Sequence, residues 1–114
     1  MFQRLSGMLQ GPVVPEVDIE EADRRQRAGA QMVDVRELSE WAEARVPGSV
    51  HIRLGDLARR AGELDADRPV VAICRSGSRS KTAVQILQRA GFTDASSMAG
   101  GVVAWGRAGK PLTR

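Results

Sequence analysis

Cysteine, aromatic side chains and long apolar runs are all scarce in this sequence. Of its 114 residues only Cys74 is a cysteine, so no internal disulfide can form and a reducing, cytoplasmic setting is expected. Aromatic residues make up 4% of the chain and tyrosine is absent, which leaves little for bases to stack on and argues against nucleic-acid binding. No stretch approaches the roughly 18 apolar residues of a membrane span. The opening MFQRLSGMLQGP is broken too often by polar residues and Gly7 to read as a secretory signal. No repeat or low-complexity tract is present, and the length suits one hydrophobic core rather than two. A soluble single-domain protein is expected, with neither membrane nor nucleic acid among its partners. His51 is the only histidine, so packing or hydrogen bonding suits it better than a metal site.

Acidic residues are missing in one particular place. Residues 1–67 carry 13 acidic and 9 basic side chains, whereas residues 68–114 carry 8 basic side chains and only Asp94 as an acid. No carboxylate stands between Asp67 and Asp94, the interval that holds Cys74. A field of that sign draws small anions and favours a thiolate. The net charge of +3, with 15 Arg against 2 Lys, also fits a solvated basic face or a coding bias.

Short apolar runs alternate with helical patterns. Val13 to Val17 is expected to form a short strand, and Asp18 and Glu21 have the spacing of a capping box for a helix that Gly29 ends. AQMVDV reads as a buried strand, ELSEWAEAR as a short helix stopped before Pro47, and SVHI as a further strand. A helix follows around Leu54, Leu57, Ala58 and Ala61. RPVVAIC is apolar on both faces, which predicts a strand in the middle of a sheet. Ala83, Ile86, Leu87 and Ala90 then recur at helical spacing, ASSMA reads as a last strand, and GGVVAWGRAG as a final helix. Such alternation implies an α/β fold with a central parallel sheet and helices on both faces.

In this architecture ligands bind where strands end and helices begin. Cys74 stands at such a point, heading CRSGSRS. Gly77 and the small Ser76 and Ser78 let the loop curl so that several N–H groups converge, while the helix start, Arg75 and Arg79 add positive charge. Each of these favours a thiolate at Cys74. A free cysteine at a strand end can also be a small core hydrophobe, but two arginines and a glycine are odd neighbours for one.

The chain resembles the single-domain rhodanese family, the thiosulfate sulfurtransferases, from about Val17 to Leu112. VDVRELSEW, VPGSVHI, CRSGSRS, AGF and GGVVAW with AGKP stand in that family's order and spacing. The resemblance implies a rhodanese-like fold, a central parallel five-stranded sheet with helices on both faces, occupying residues 16–114 behind an N-terminal arm over 1–15. It implies sulfur transfer through a persulfide on Cys74 as the catalytic residue. Thiol phosphatases and arsenate reductases share such a cradle, but with five residues between the cysteine and an arginine. Here Arg79 follows after four and Ser80 holds the longer spacing, a smaller loop suited to one sulfur atom.

The expected chemistry is a double displacement. The Cys74 thiolate attacks the outer sulfur of thiosulfate or a related persulfide or polysulfide, and the amides of residues 75–79 hold the resulting anion. Arg75, Ser76, Gly77, Ser78 and Arg79 are the expected substrate-binding residues, with Arg75 at the mouth and Arg79 closing the cradle. With no second cysteine, the acceptor comes from outside: cyanide, a cellular thiol or a persulfide-exchanging protein. No metal or organic cofactor is required. A sulfur carrier or regulatory binding module with little thiosulfate turnover needs the same cradle and stays open as an alternative.

Around the loop, Asp34 and Arg36 match the family's Asp-x-Arg element and are read as a fold-supporting ion pair with Glu40 as a further partner. Trp41 and Trp105 are expected in the core, and Gly100–Gly101 is expected to let the backbone pass close to the loop. Arg45 stands where the family commonly has histidine, which bears on partner preference rather than catalysis. Phe2, Leu5 and Leu9 would share one side of a helix in the arm, although Gly7, Gly11, Pro12 and Pro15 favour mobility there.

Overall fold

A computed structural model describes residues 13–114, in which strand and helix alternate along the chain. The order is β1 (Glu16–Val17), α1 (Ile19–Arg27), β2 (Gln31–Asp34), α2 (Leu38–Glu43), β3 (Val50–His51), α3 (Leu54–Arg60), a 3₁₀ turn (Ala61–Glu63), β4 (Val70–Ile73), α4 (Ser78–Arg89), β5 (Ala95–Met98) and α5 (Gly101–Arg107). All the strands pair in parallel, in the spatial order β1-β5-β4-β2-β3. The hydrophobic β4 therefore lies at the centre, where a strand apolar on both faces belongs. The arm's proposed helix through Phe2, Leu5 and Leu9 lies outside the described residues.

Strand alternation sends successive side chains to opposite faces and so builds two cores. On one face Val33, Val35, Val70, Ala72 and Cys74 meet Leu57 of α3 and Ala83, Val84 and Leu87 of α4. On the other, Met32, Val71, Ile73 and Met98 meet Ala22 of α1 and Val102 and Trp105 of α5. Trp105 is buried and its indole N–H donates to the Pro111 carbonyl at 2.8 Å. Trp41, by contrast, is only half-buried: it stacks on His51 with centroids 5.1 Å apart and carries the Arg45 guanidinium 4.6 Å from its ring. It closes a surface corner instead of filling the core.

Local differences from the sequence pattern have simple causes. The first strand is confined to Glu16–Val17, since β1 is an edge strand paired only over two residues of β5. Asp18 accepts the Glu21 N–H at 2.8 Å as expected of a cap, while the Glu21 side chain turns to Arg24 and Arg25. In α4 the buried stripe runs through Ser80, Ala83, Val84 and Leu87. Ala90 caps the helix and is exposed, because the chain turns there into Gly91.

Helix α2 has no buried residue and is held by polar contacts. Its Glu40 grips both terminal nitrogens of Arg79 in α4 at 2.8 and 2.9 Å, across 39 residues of sequence. Asp34 is fully buried and pairs with Arg36, whose guanidinium also reaches the Ala44 carbonyl at 2.6 Å. Glu40 is thus the partner of Arg79, not of Arg36. The side-chain hydrogen bond from Arg79, working against burial, lowers the Glu40 pKa from 4.5 to about 2. A lowered folded-state pKa stabilises the protein fully above about 4.5, and that contribution is lost as pH falls toward 2. Denaturation titrations should therefore show wild type losing its advantage over Glu40→Gln across that window; a constant difference would mean the pair does not carry it.

The tightest backbone approach lies between α5 and the end of β4. A Cβ on Gly101, whose φ is +60°, would stand 2.4 Å from both the Cys74 and Arg75 carbonyl oxygens. Gly101→Ala should lose about 2 kcal/mol or more, a fall in Tm of about 8 °C or more. Gly62→Ala, which meets nothing within 4 Å and has no positive φ, is the control expected to stay near wild type. Equal Tm values for the two variants would refute the constraint.

Candidate active site

The site grows out of the point where β4 gives way to α4. Past Ile73 the chain curls through Cys74, Arg75 and Ser76 to Gly77, whose φ of +107° is open to glycine at no steric cost. A side chain there would also crowd the Gly100 N at 3.1 Å. Cys74, Gly77 and Ser80 are buried while Arg75, Ser76 and Ser78 are exposed. The loop therefore has an inward row and an outward row.

The inward row converges on sulfur. Gly77 N–H donates to Cys74 Sγ at 3.0 Å, and Ser80 Oγ lies 3.4 Å from the same atom. Burial pushes the Cys74 thiol up, but the Ser80 hydroxyl and the backbone N–H groups of Ser80, Gly77 and Ser76 outweigh it. The balance holds the thiol below its ordinary value. These donors sit at the start of α4, where N–H groups have no intrahelical acceptor and the macrodipole favours an anion. Behind the loop, the N–H groups of Val102 and Val103 bond the Cys74 and Arg75 carbonyls at 2.9 and 3.1 Å. Gly100 and Gly101 permit this approach, as the sequence suggested.

The two loop arginines play different parts. Arg79 is held by Glu40, so its charge is paired with a carboxylate and its geometry is that of a clamp between α2 and α4. Arg75 is exposed and lines an open cavity of about 140 Å³ with Arg36, Glu40, Glu43, Ala44 and Val102. Of the residues picked from sequence, the structure brings Cys74, Ser76 and Gly77 together through their backbone, with Ser78 opening the helix. Ser80 and its neighbour Ser97, whose hydroxyls are 2.7 Å apart, escaped the reading as site residues. The signal available for Ser80 was its place in the first turn of α4, on the stripe shared with Ala83, Val84 and Leu87. For Ser97 the signal was a serine in a strand buried on both faces.

His51 Nε2 lies 2.7 Å from the Arg36 carbonyl oxygen. That oxygen can only accept, so Nε2 carries the hydrogen and the ring braces the backbone beside the Asp34–Arg36 pair. Arg45, in the histidine's usual family place, is laid over Trp41, and its backbone bridges to Thr113.

Comparison with known proteins agrees with this fold. A family model described as a rhodanese-like domain matches residues 18–108. A sulfurtransferase from Allochromatium vinosum is 32% identical over 88% of this chain and 95% of its own length. The thiosulfate sulfurtransferase GlpE of Pseudomonas savastanoi is 34% identical over 75% of this chain and 81% of its own. Among solved structures, a rhodanese-related protein from Thermoplasma volcanium superposes with a TM-score of 0.80 at 25% identity, covering 87% of this chain and 97% of that one. The chain belongs to the rhodanese-like domain family.

Proposed function

We propose that this protein is a sulfurtransferase that carries sulfane sulfur as a persulfide on Cys74. The observation that carries the reading is a buried sulfur at the end of the central strand, facing Gly77 N–H and Ser80 Oγ at 3.0 and 3.4 Å. Such a cluster of donors favours an anion on sulfur. The thiolate attacks the outer sulfur of thiosulfate; the new S–S bond forms as the old one breaks, and its electron pair leaves on sulfite. The terminal sulfur of the persulfide then inherits the negative charge. A cyanide ion or an external thiolate attacks that sulfur, departs with it as thiocyanate or a new persulfide, and returns the electron pair to Cys74. The cycle needs no oxidant and no proton beyond those of the thiols themselves.

Intact-protein mass spectrometry after thiosulfate treatment and desalting should show the addition of one sulfur atom. Cyanide should remove it, and Cys74→Ser should gain none. An unchanged wild-type mass would count against the persulfide.

Arg75, exposed at the mouth, is assigned to the sulfonate end of thiosulfate. Arg75→Ala should raise KM for thiosulfate about tenfold, the worth of one charge-assisted hydrogen bond, while leaving a persulfide donor that has no sulfonate nearly unaffected. Arg79→Ala should lower turnover with both donors, because Glu40 would lose the clamp that steadies α4. Equal losses for Arg75→Ala with the two donors would refute its role, whereas efficient use of the persulfide donor alone by wild type would favour a carrier over a thiosulfate enzyme.

A further inference from the structure

Three buried polar atoms from three different elements form a row behind the cradle. Cys74 Sγ at the end of β4 lies 3.4 Å from Ser80 Oγ in α4, and Ser80 Oγ lies 2.7 Å from Ser97 Oγ in β5. Ser80 and Ser97 are fully buried and Cys74 is 1% exposed. Serine is an unusual choice at such a place. A strand covered on both faces is expected to be built from Val, Ile and Leu, and each buried hydroxyl costs free energy unless it is hydrogen-bonded. Ser96, the neighbour of Ser97, faces the opposite side of the sheet, where Arg25 reaches it at 3.4 Å. Ser97 faces the Cys74 side, and the partner the structure gives its hydroxyl is Ser80.

Counting protons gives this row a direction. A thiolate can only accept a hydrogen bond, and a serine hydroxyl has one proton to give. When Cys74 is ionised, Ser80 must spend its proton on Sγ, so its oxygen becomes the acceptor and Ser97 becomes the donor. When Cys74 is a thiol, S–H can donate to Ser80 and the Ser80–Ser97 bond can run the other way. We propose that Ser97 is a positioning residue for the nucleophile: it donates to Ser80 and thereby holds the Ser80 hydroxyl toward the sulfur anion. A chain of hydrogen bonds ending on a charge polarises along its length, so the second hydroxyl strengthens the first. Without Ser97, the Ser80 hydroxyl is free to turn to the carbonyl of Gly77 or Ser76, three or four residues back, the usual alternative for serine within a helix.

The charges around Cys74 do not duplicate this device. Asp34 and Arg36 at the end of β2 are paired with each other, as are Glu40 of α2 and Arg79 of α4. Asp56 of α3 meets Arg53 and Arg59, and Lys81 of α4 meets Glu16. His51 of β3 is bonded to the Arg36 carbonyl, β5 supplies no charged residue, and the first turn of α5 has none. Arg75 stands exposed on the loop. A change at Ser97 leaves all of these groups in place.

The inference rests on Cys74 being the nucleophile of the proposed reaction, but its test reads the thiol alone. Cys74 is the only cysteine, so the rate of iodoacetamide alkylation against pH reports its ionisation directly. Ser97→Ala should raise the midpoint by roughly half a pH unit, about a threefold loss of thiolate on the acid side. Ser80→Ala should raise it at least as far, and Ser80→Ala/Ser97→Ala should match Ser80→Ala, because Ser97 acts through Ser80. Ser97→Thr, which keeps the hydroxyl, should return the midpoint toward wild type. A midpoint unmoved in Ser97→Ala, even with a lowered Tm, would reduce Ser97 to a packing residue and overturn the proposal. Additive shifts in the double variant would overturn it too, since Ser97 would then act without Ser80. A negative result here leaves sulfur transfer itself to the mass measurement, which does not depend on Ser97.

Discussion

An anion buried on sulfur must be surrounded by N–H and O–H groups, and much of this structure follows from that requirement. Turning the loop amides inward toward Cys74 turns the Cys74 and Arg75 carbonyls outward, where they need donors of their own. The first turn of α5 supplies them through Val102 and Val103, whose N–H groups have no acceptor inside their own helix. Each side thus satisfies what the other leaves open. This exchange brings two backbones so close that no side chain fits between them, which is why Gly101 stands there. The glycine pair, the last helix and the cradle are one device, although 26 residues separate Cys74 from Gly100.

Charge is arranged around this device more economically than the excess of arginine suggests. Arg36 and Arg79 are both engaged by carboxylates, Asp34 and Glu40, and act as struts beside the loop. The sulfur is served chiefly by hydrogen bonds over short distances, which burial makes stronger. Arg75 remains as the exposed loop cation at the mouth. On the proposed reading, holding a free anion at the mouth and stabilising the Cys74 sulfur fall to different groups, which can be altered separately.

How much of this could be read from the sequence depended on how local each signal was. The strands, the central place of VVAI and the cysteine at its end follow from period and hydrophobicity within a few residues. The glycine pair was legible because glycine next to glycine has few other uses. Glu40 as the partner of Arg79 was not, since a carboxylate 39 residues away has no local mark, and Asp34 and Arg36 offered a nearer pairing. Trp41 was read into the core because large aromatics usually lie there; the short α2 instead leaves it half-buried between Arg45 and His51. Ser80 and Ser97 were hidden for a related reason. A serine is small and polar in every context, and only the packing of α4 on β5 puts these two hydroxyls in contact with each other, with Ser80 also reaching the sulfur.

The division of the loop into two rows has a consequence for how such a site can change. Inward positions, Cys74, Gly77 and Ser80, are tied to the sulfur by backbone geometry, by a positive φ and by a buried hydroxyl. Outward positions, Arg75, Ser76 and Ser78, touch solvent with their side chains. The Ser76 N–H, for instance, favours the thiolate whatever side chain the residue carries. Side chains there can change without disturbing the chemistry at sulfur, so the identity of the donor or acceptor is open to variation at the mouth. Arg45 and Trp41, which form a stacked corner on α2 and the segment after it, can vary in the same way. On the proposed reading, the backbone and the buried hydroxyls hold the chemistry at sulfur, and the surface sets the choice of partner.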